Sequence, residues 1–200
     1  RSGTYHFTPY KEVLLLKGTG SPPRVVSLPS ARDRIVLRAL FELLIKVFPE
    51  AVSQIAQIKI TKIIESLSSF DYGEFIKVDV SQFYPSIDHT LLLKKLNTRI
   101  KKPEILTLIK DAISTPTVAP SKGGKGAGKN LKGVPQGLAI SNLLAEIFMH
   151  NFDKEICLNE KIQYQRYVDD ILVLCSTGES GSVYKVMQLE LCKIGLNPHE

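Results

Sequence analysis

Tyr167-Val168-Asp169-Asp170-Ile171-Leu172-Val173 sets two adjacent carboxylates between residues that belong in a core. The apolar and β-branched side chains on either side read as two strands, with Asp169 and Asp170 forming a tight corner between them. A similar interruption lies upstream: Phe75-Ile76-Lys77-Val78-Asp79-Val80 reads as a short buried strand with Asp79 near its end. Taken singly, Asp-Asp is a common hairpin corner and Asp79 a turn cap. Taken together, they bring three carboxylates to one sheet edge, and without basic neighbours these repel unless divalent cations neutralise them. Mg²⁺ takes oxygen ligands, commonly one or two carboxylates plus substrate phosphates. Two such ions about 3.5–4 Å apart stabilise both the attacking and the leaving oxygen of a phosphoryl displacement.

Strands are expected over 12–16 and 24–28, on either side of the turn-forming Gly18-Thr19-Gly20-Ser21-Pro22-Pro23. Ser30 is placed to cap a long helix whose apolar face is Ile35, Val36, Ala39, Leu40, Leu43, Leu44, Val47 and Phe48, and Pro49 ends it. A second helix is expected over 51–67. Asp88 caps one running through Leu96, and Pro103 opens another that reaches Ile113. Residues 114–133, with two prolines, five glycines and four lysines, read as loop. A helix over 141–156, strands over 163–168 and 171–175, and a helix over 182–193 follow. This order of strand pair, helices, strand, helices, hairpin and helix is α+β, not the alternation of a doubly wound sheet.

At 200 residues, 44% hydrophobic and 23% charged, the chain has globular composition, which excludes disordered and fibrous classes. Cys157, Cys175 and Cys192 have neither paired nor metal-ligand spacing. No apolar run approaches the roughly 18 residues of a membrane span, and nothing reads as a signal peptide, so a reducing cytoplasm and no membrane partner are expected. The net charge is +6, and residues 94–132 hold ten basic residues against two acids. A basic excess held in one segment suits a polyanion or, equally, a solvated lysine-rich face. Gly123-Gly124-Lys125-Gly126-Ala127-Gly128-Lys129-Asn130 nearly matches a nucleotide-binding P-loop, but Asn130 lacks the metal-binding hydroxyl.

Three stretches in order resemble the motifs of reverse transcriptases: Lys77-Val78-Asp79-Val80-Ser81-Gln82-Phe83-Tyr84-Pro85-Ser86-Ile87-Asp88 resembles motif A, Gly133-Val134-Pro135-Gln136-Gly137-Leu138-Ala139-Ile140-Ser141-Asn142 resembles motif B, and Tyr167-Val168-Asp169-Asp170 resembles motif C. The resemblance implies right-hand polymerase fingers over 1–73 and a palm over 74–200, the palm an antiparallel sheet backed by helices and carrying the basic loop 114–133. The chain stops at the start of what resembles motif D, and no segment remains for a thumb, which suggests a piece of a longer protein.

The same resemblance implies the site. Asp79 and Asp169 would hold two Mg²⁺ (Mn²⁺ as substitute), with the Val80 carbonyl as a further ligand and Asp170 as electrostatic support. Tyr84 matches the ring that excludes a 2′-hydroxyl, and Gln136 the residue that contacts the nucleotide sugar. Lys17 and Arg24 would grip the triphosphate, arginine suiting bidentate phosphate contacts. Arg32 and Arg34 would face nucleic acid, while Asp33 pairs with one of them; Lys122, Lys125 and Lys129 would lie over template or primer. The implied activity is RNA-directed DNA synthesis from dNTPs on an RNA template with a DNA or RNA primer. Among subgroups the motifs look most like phage-defence enzymes, with group II intron enzymes next. A non-catalytic nucleic-acid-binding scaffold is the alternative of a different class.

Overall fold

The computed structural model describes residues 4–16, 18, 22–69, 72–119 and 127–199. Two three-stranded sheets share one continuous core. In the first, β1 (Tyr10–Leu15) pairs antiparallel with β2 (Arg24–Leu28) and parallel with the two-residue β4 (Thr117–Val118). In the second, β3 (Glu74–Asp79) and β5 (Gln163–Tyr167) flank β6 (Asp170–Cys175), all antiparallel. The helices are α1 (Ala31–Val47), α2 (Ala56–Ser69), α3 (Phe83–Ser86), α4 (His89–Asn97), α5 (Pro103–Ser114), α6 (Ser141–Cys157) and α7 (Ser180–Lys193). The expected α+β class and the antiparallel sheet backed by helices are both present. No helix among the described residues is long and apolar enough to cross a membrane.

The expected caps form. Ser30 Oγ accepts the Asp33 amide at 3.3 Å and Asp88 Oδ1 the Leu91 amide at 2.8 Å, each satisfying an N–H that a helix start leaves open. The face of α1 is rotated from the expected one: Leu37, Leu40 and Leu44 are buried, while Ile35 is 73% exposed. Asp33 sets that rotation. It lies on the same stripe, fully buried, and accepts the hydroxyls of Tyr5 at 2.5 Å, Thr8 at 2.5 Å and Ser30 at 2.7 Å. Burial alone would raise its pKa, but these bonds outweigh burial and leave the carboxyl below its ordinary value. Of its two expected partners, Arg32 stands 3.8 Å away.

Three local expectations need correction. The stretch 114–133 is not all loop, because Thr117–Val118 finds an open edge of β1; a strand this short leaves no periodic trace. The second helix begins at Ala56, not 51, because Pro49–Ala51 closes its own 3₁₀ turn first. Asp170 is the first residue of β6, paired with Tyr167, so the corner consists of Val168 and Asp169.

α6 runs through the middle of the core, burying Leu143, Leu144, Ile147, Phe148, Met149, Phe152 and Ile156. Lys95 of α4 points into it, donating to the Phe148 carbonyl and lying 5.0 Å over that ring. Desolvation lowers the Lys95 pKa to about 8, so charging this amine is harder in the fold than in the unfolded chain. Its penalty is full below pH 8 and fades as pH rises toward the free-lysine value. Lys95→Met is expected to stabilise the fold at pH 7 by roughly 1–2 kcal/mol, less than the full shift because the amine is partly solvated. The gain over wild type should shrink by pH 9.5, as read by urea unfolding at both pH values.

Candidate active site

Register builds the site. β3 and β6 pair Val78 with Ile171 and Asp79 with Asp170, and the Val80 amide donates to the Asp169 carbonyl at 3.2 Å. Ile76, Val78, Ile171 and Val173 go into the core, and the three carboxylates are left at the strand ends. The chain end flanks them: the Ser81 amide donates to Asn197 O at 2.9 Å and the His199 amide to Asp79 O at 2.7 Å.

The Asp169 carboxyl sits above its ordinary pKa, first through burial and then through repulsion from Asp79 and Asp170, with Arg24 opposing. The expectation of no basic neighbours is therefore wrong: Arg24 acts on Asp169, and Lys77 stands 3.8 Å from Asp170. Among the described residues no group of three or more Asp, Glu, His or Cys side chains is placed to hold a metal ion by itself. The donor set at the strand ends is all carboxylate oxygen, which suits a hard cation that keeps positions open for substrate oxygens.

Tyr84 and the glycine turn stand beside the carboxylates. The Tyr84 ring lies in α3, a helical turn too short for its periodicity to be read, and its hydroxyl donates to Asn142 Oδ1 at 2.6 Å. Burial, then Asp169 and Glu146, push its phenol up to about 12. Gly133 and Gly137 fasten the stretch between them to both sides. The Gly133 amide meets Ile87 O at 2.8 Å, the Val134 amide meets Tyr84 O at 2.9 Å, and His89 Nε2 lies 2.6 Å from Gly133 O. Gln136 O accepts the Ser27 amide of β2 at 2.7 Å. Gly137, at φ +101°, has no room for a side chain, since a Cβ would lie 2.6 Å from Val26 Cγ1 and 2.9 Å from Ser27 O.

Arg24 opens β2 and its charge acts on both Asp169 and Tyr84, so Asp79, Asp169, Asp170, Tyr84, Gln136 and Arg24 share one region. Lys17, Lys122 and Lys125 lie outside the described residues. Arg32 donates to His6 O at 3.2 Å and stacks on Tyr5, and Arg34 donates to Pro29 O at 3.2 Å. Lys129 pairs with Asp111 at 3.1 Å. These three make contacts within the chain, none of them to Asp79, Asp169 or Asp170.

The sequence reading missed Arg166, Glu146, Asp153 and Lys59. Arg166, buried in β5, is bidentate to both Glu146 and Asp153 of α6 and donates to Val168 O at 2.8 Å. Lys59 of α2 donates to the Arg166 carbonyl. The available signal was an arginine next to the Tyr-Val-Asp-Asp strand end and two acids seven residues apart on an amphipathic helix.

Adjacent antiparallel strands ending in carboxylates, helices behind them and a glycine turn alongside define a polymerase palm. The chain belongs to the reverse transcriptase family: the family model described as reverse transcriptase (RNA-dependent DNA polymerase) matches residues 16–196. It is 30% identical over 169 residues to protein YkfC of Escherichia coli, covering 76% of this chain and 42% of that protein. It is 22% identical over 173 residues to the group II intron-encoded protein LtrA of Lactococcus lactis, covering 83% of this chain and 28% of that one. Telomerase from Candida albicans, solved with a telomeric RNA fragment, has the same fold, with a TM-score of 0.69 at 15% identity over 99% of this chain and 41% of its own. The chain thus spans less than half the length of these relatives.

Gly137→Ala is expected to lower stability by about 2 kcal/mol or more, adding a steric clash to the left-handed backbone penalty. Gly178→Ala is its control, with φ +85° and open space around it, and should cost only about 1 kcal/mol. Equal losses in urea unfolding would mean that the contact between the glycine turn and β2 is loose.

Proposed function

We propose that this chain is the fingers (1–73) and palm (74–200) of an RNA-directed DNA polymerase that adds dNTPs to a primer 3′-hydroxyl by two-metal phosphoryl transfer. The observation that carries the reading is the register that sets Asp79 opposite Asp170 with Asp169 one residue away. Asp79 and Asp169 would hold two Mg²⁺, or Mn²⁺ in their place. The Val80 carbonyl suits a further ligand, because in an extended strand it leaves on the same side as its amide, which already meets Asp169. Bound there, the metals would activate the primer hydroxyl and neutralise the triphosphate.

The protein's own part is positioning and charge. Asp170, partly compensated by Lys77, adds field without needing to ligate. Arg24, together with Lys17, would grip the triphosphate against the acidic cluster. The Tyr84 ring, fixed at its hydroxyl by Asn142, would lie under the sugar and clash with a 2′-hydroxyl, while Gln136 contacts the sugar from the other side. An RNA template and a DNA or RNA primer would run over Arg32, Arg34, Lys122, Lys125 and Lys129. For biological setting, LtrA is a group II intron-encoded protein by name, which favours an intron-type enzyme; an anti-phage role rests on motif resemblance alone.

Asp169→Asn in the full-length protein should abolish dNTP incorporation on a primed RNA template while leaving the melting temperature within a few degrees. Retained incorporation would remove the metal-site assignment. Tyr84→Ala should raise ribonucleotide use relative to dNTPs by about tenfold or more. Unchanged sugar discrimination would refute the gate.

A further inference from the structure

Arg166 is the one buried lysine or arginine among the described residues, its side chain 4% exposed. Removing a charge from water costs several kcal/mol, and apolar residues of similar volume often give equal stability, so a buried ion cluster calls for another explanation. Here all five guanidinium N–H donors are used. Nε and Nη2 take Asp153 at 2.8 and 2.7 Å, Nη2 and Nη1 take Glu146 at 2.7 and 3.2 Å, and Nη1 also takes the Val168 carbonyl at 2.8 Å. Two bidentate pairs fix the plane of the fork, leaving a single donor aimed at the turn. Lysine has three donors radiating from one atom and cannot reproduce this.

The acceptor at the turn is under strain. Val168 has φ +59°, a left-handed conformation that a β-branched side chain resists. A two-residue hairpin loop with positive φ at its first position normally carries glycine there. The carbonyl that Arg166 holds belongs to the planar peptide whose other end is the Asp169 nitrogen, so fixing it fixes the direction in which Asp169 leaves the turn. Lys59 secures the strand from the opposite element, donating to Arg166 O with its ammonium 5.8 Å from the Tyr167 ring centre.

We propose that Arg166 is the positioning residue of the Tyr167–Asp170 turn: braced by Glu146 and Asp153, it holds the Val168 carbonyl and so aims Asp169 into the site. The proposal rests on the polymerase reading above.

The test uses the full-length protein with Arg166→Lys, which keeps the charge and loses the fork. Steady-state incorporation on primed RNA should show kcat lower by about 10- to 100-fold, the range for residues that orient a metal ligand, with KM for dNTP little changed. Mn²⁺ binding followed by electron paramagnetic resonance, without nucleotide, should weaken by about tenfold. In a Val168→Gly background, where left-handed backbone is unstrained, the Arg166→Lys penalty on kcat should shrink by about fivefold or more. If Arg166→Lys does not fold, Glu146→Gln, which leaves the Asp153 pair in place, should show the same pattern in milder form.

An undiminished penalty in the Val168→Gly background would overturn the proposal. So would lower stability and nucleic-acid affinity with kcat and Mn²⁺ binding per folded molecule unchanged, the signature of a purely structural ion cluster. A wild-type protein that binds Mn²⁺ without incorporating dNTPs would fail the polymerase reading, yet the Mn²⁺ comparison would still decide the role of Arg166. One that does neither would overturn both.

Discussion

Asp79 and Asp170 face each other across β3 and β6, with Asp169 one residue away, and three carboxylates at that spacing repel. Hydrophobic pairing one step deeper in the strands (Val78 with Ile171, Ile76 with Val173) holds them there regardless. A one-residue slip of either strand would turn the carboxylates into the core and the aliphatic side chains out of it, so register is strongly specified. Burial first, and then this repulsion, raise the pKa of Asp169, and a cation relieves both.

The rest of the chain supports that corner from several directions. The glycine turn is bonded to α3 and the following loop at one end and to β2 at the other, which ties Tyr84 and Gln136 to the first sheet. Asp33 ties residues 5–8 to α1, and β4 closes the other edge of β1. From behind, Arg166 and its two acids link α6 to the turn. These links run through backbone groups and through buried or half-buried side chains, whose positions are fixed by folding rather than by a ligand.

What could be read in the sequence followed from periodicity and local chemistry. Ser30 and Asp88 cap helices because capping is decided within four residues, and β2 and β6 show because apolar runs end at turn residues. Asp79, Asp169 and Asp170 stood out as charges interrupting such runs. Contacts between distant segments left little trace. β4 depends on an edge of β1 more than a hundred residues away, and the rotation of α1 depends on Tyr5 and Thr8 meeting Asp33. Glu146 and Asp153 look like surface charges of an amphipathic helix until Arg166 is seen between them, and no local pattern announces the left-handed Val168.

Asp79 and Asp169 sharing two metal ions is the arrangement on which the proposed chemistry stands. Anomalous diffraction from Mn²⁺-soaked crystals of the full-length protein with primed RNA and a non-hydrolysable dNTP tests it most directly. Two peaks about 3.5–4 Å apart are expected, both within coordination distance of Asp79 and at least one also of Asp169. Clear nucleotide density with peaks only elsewhere, or none, would contradict it.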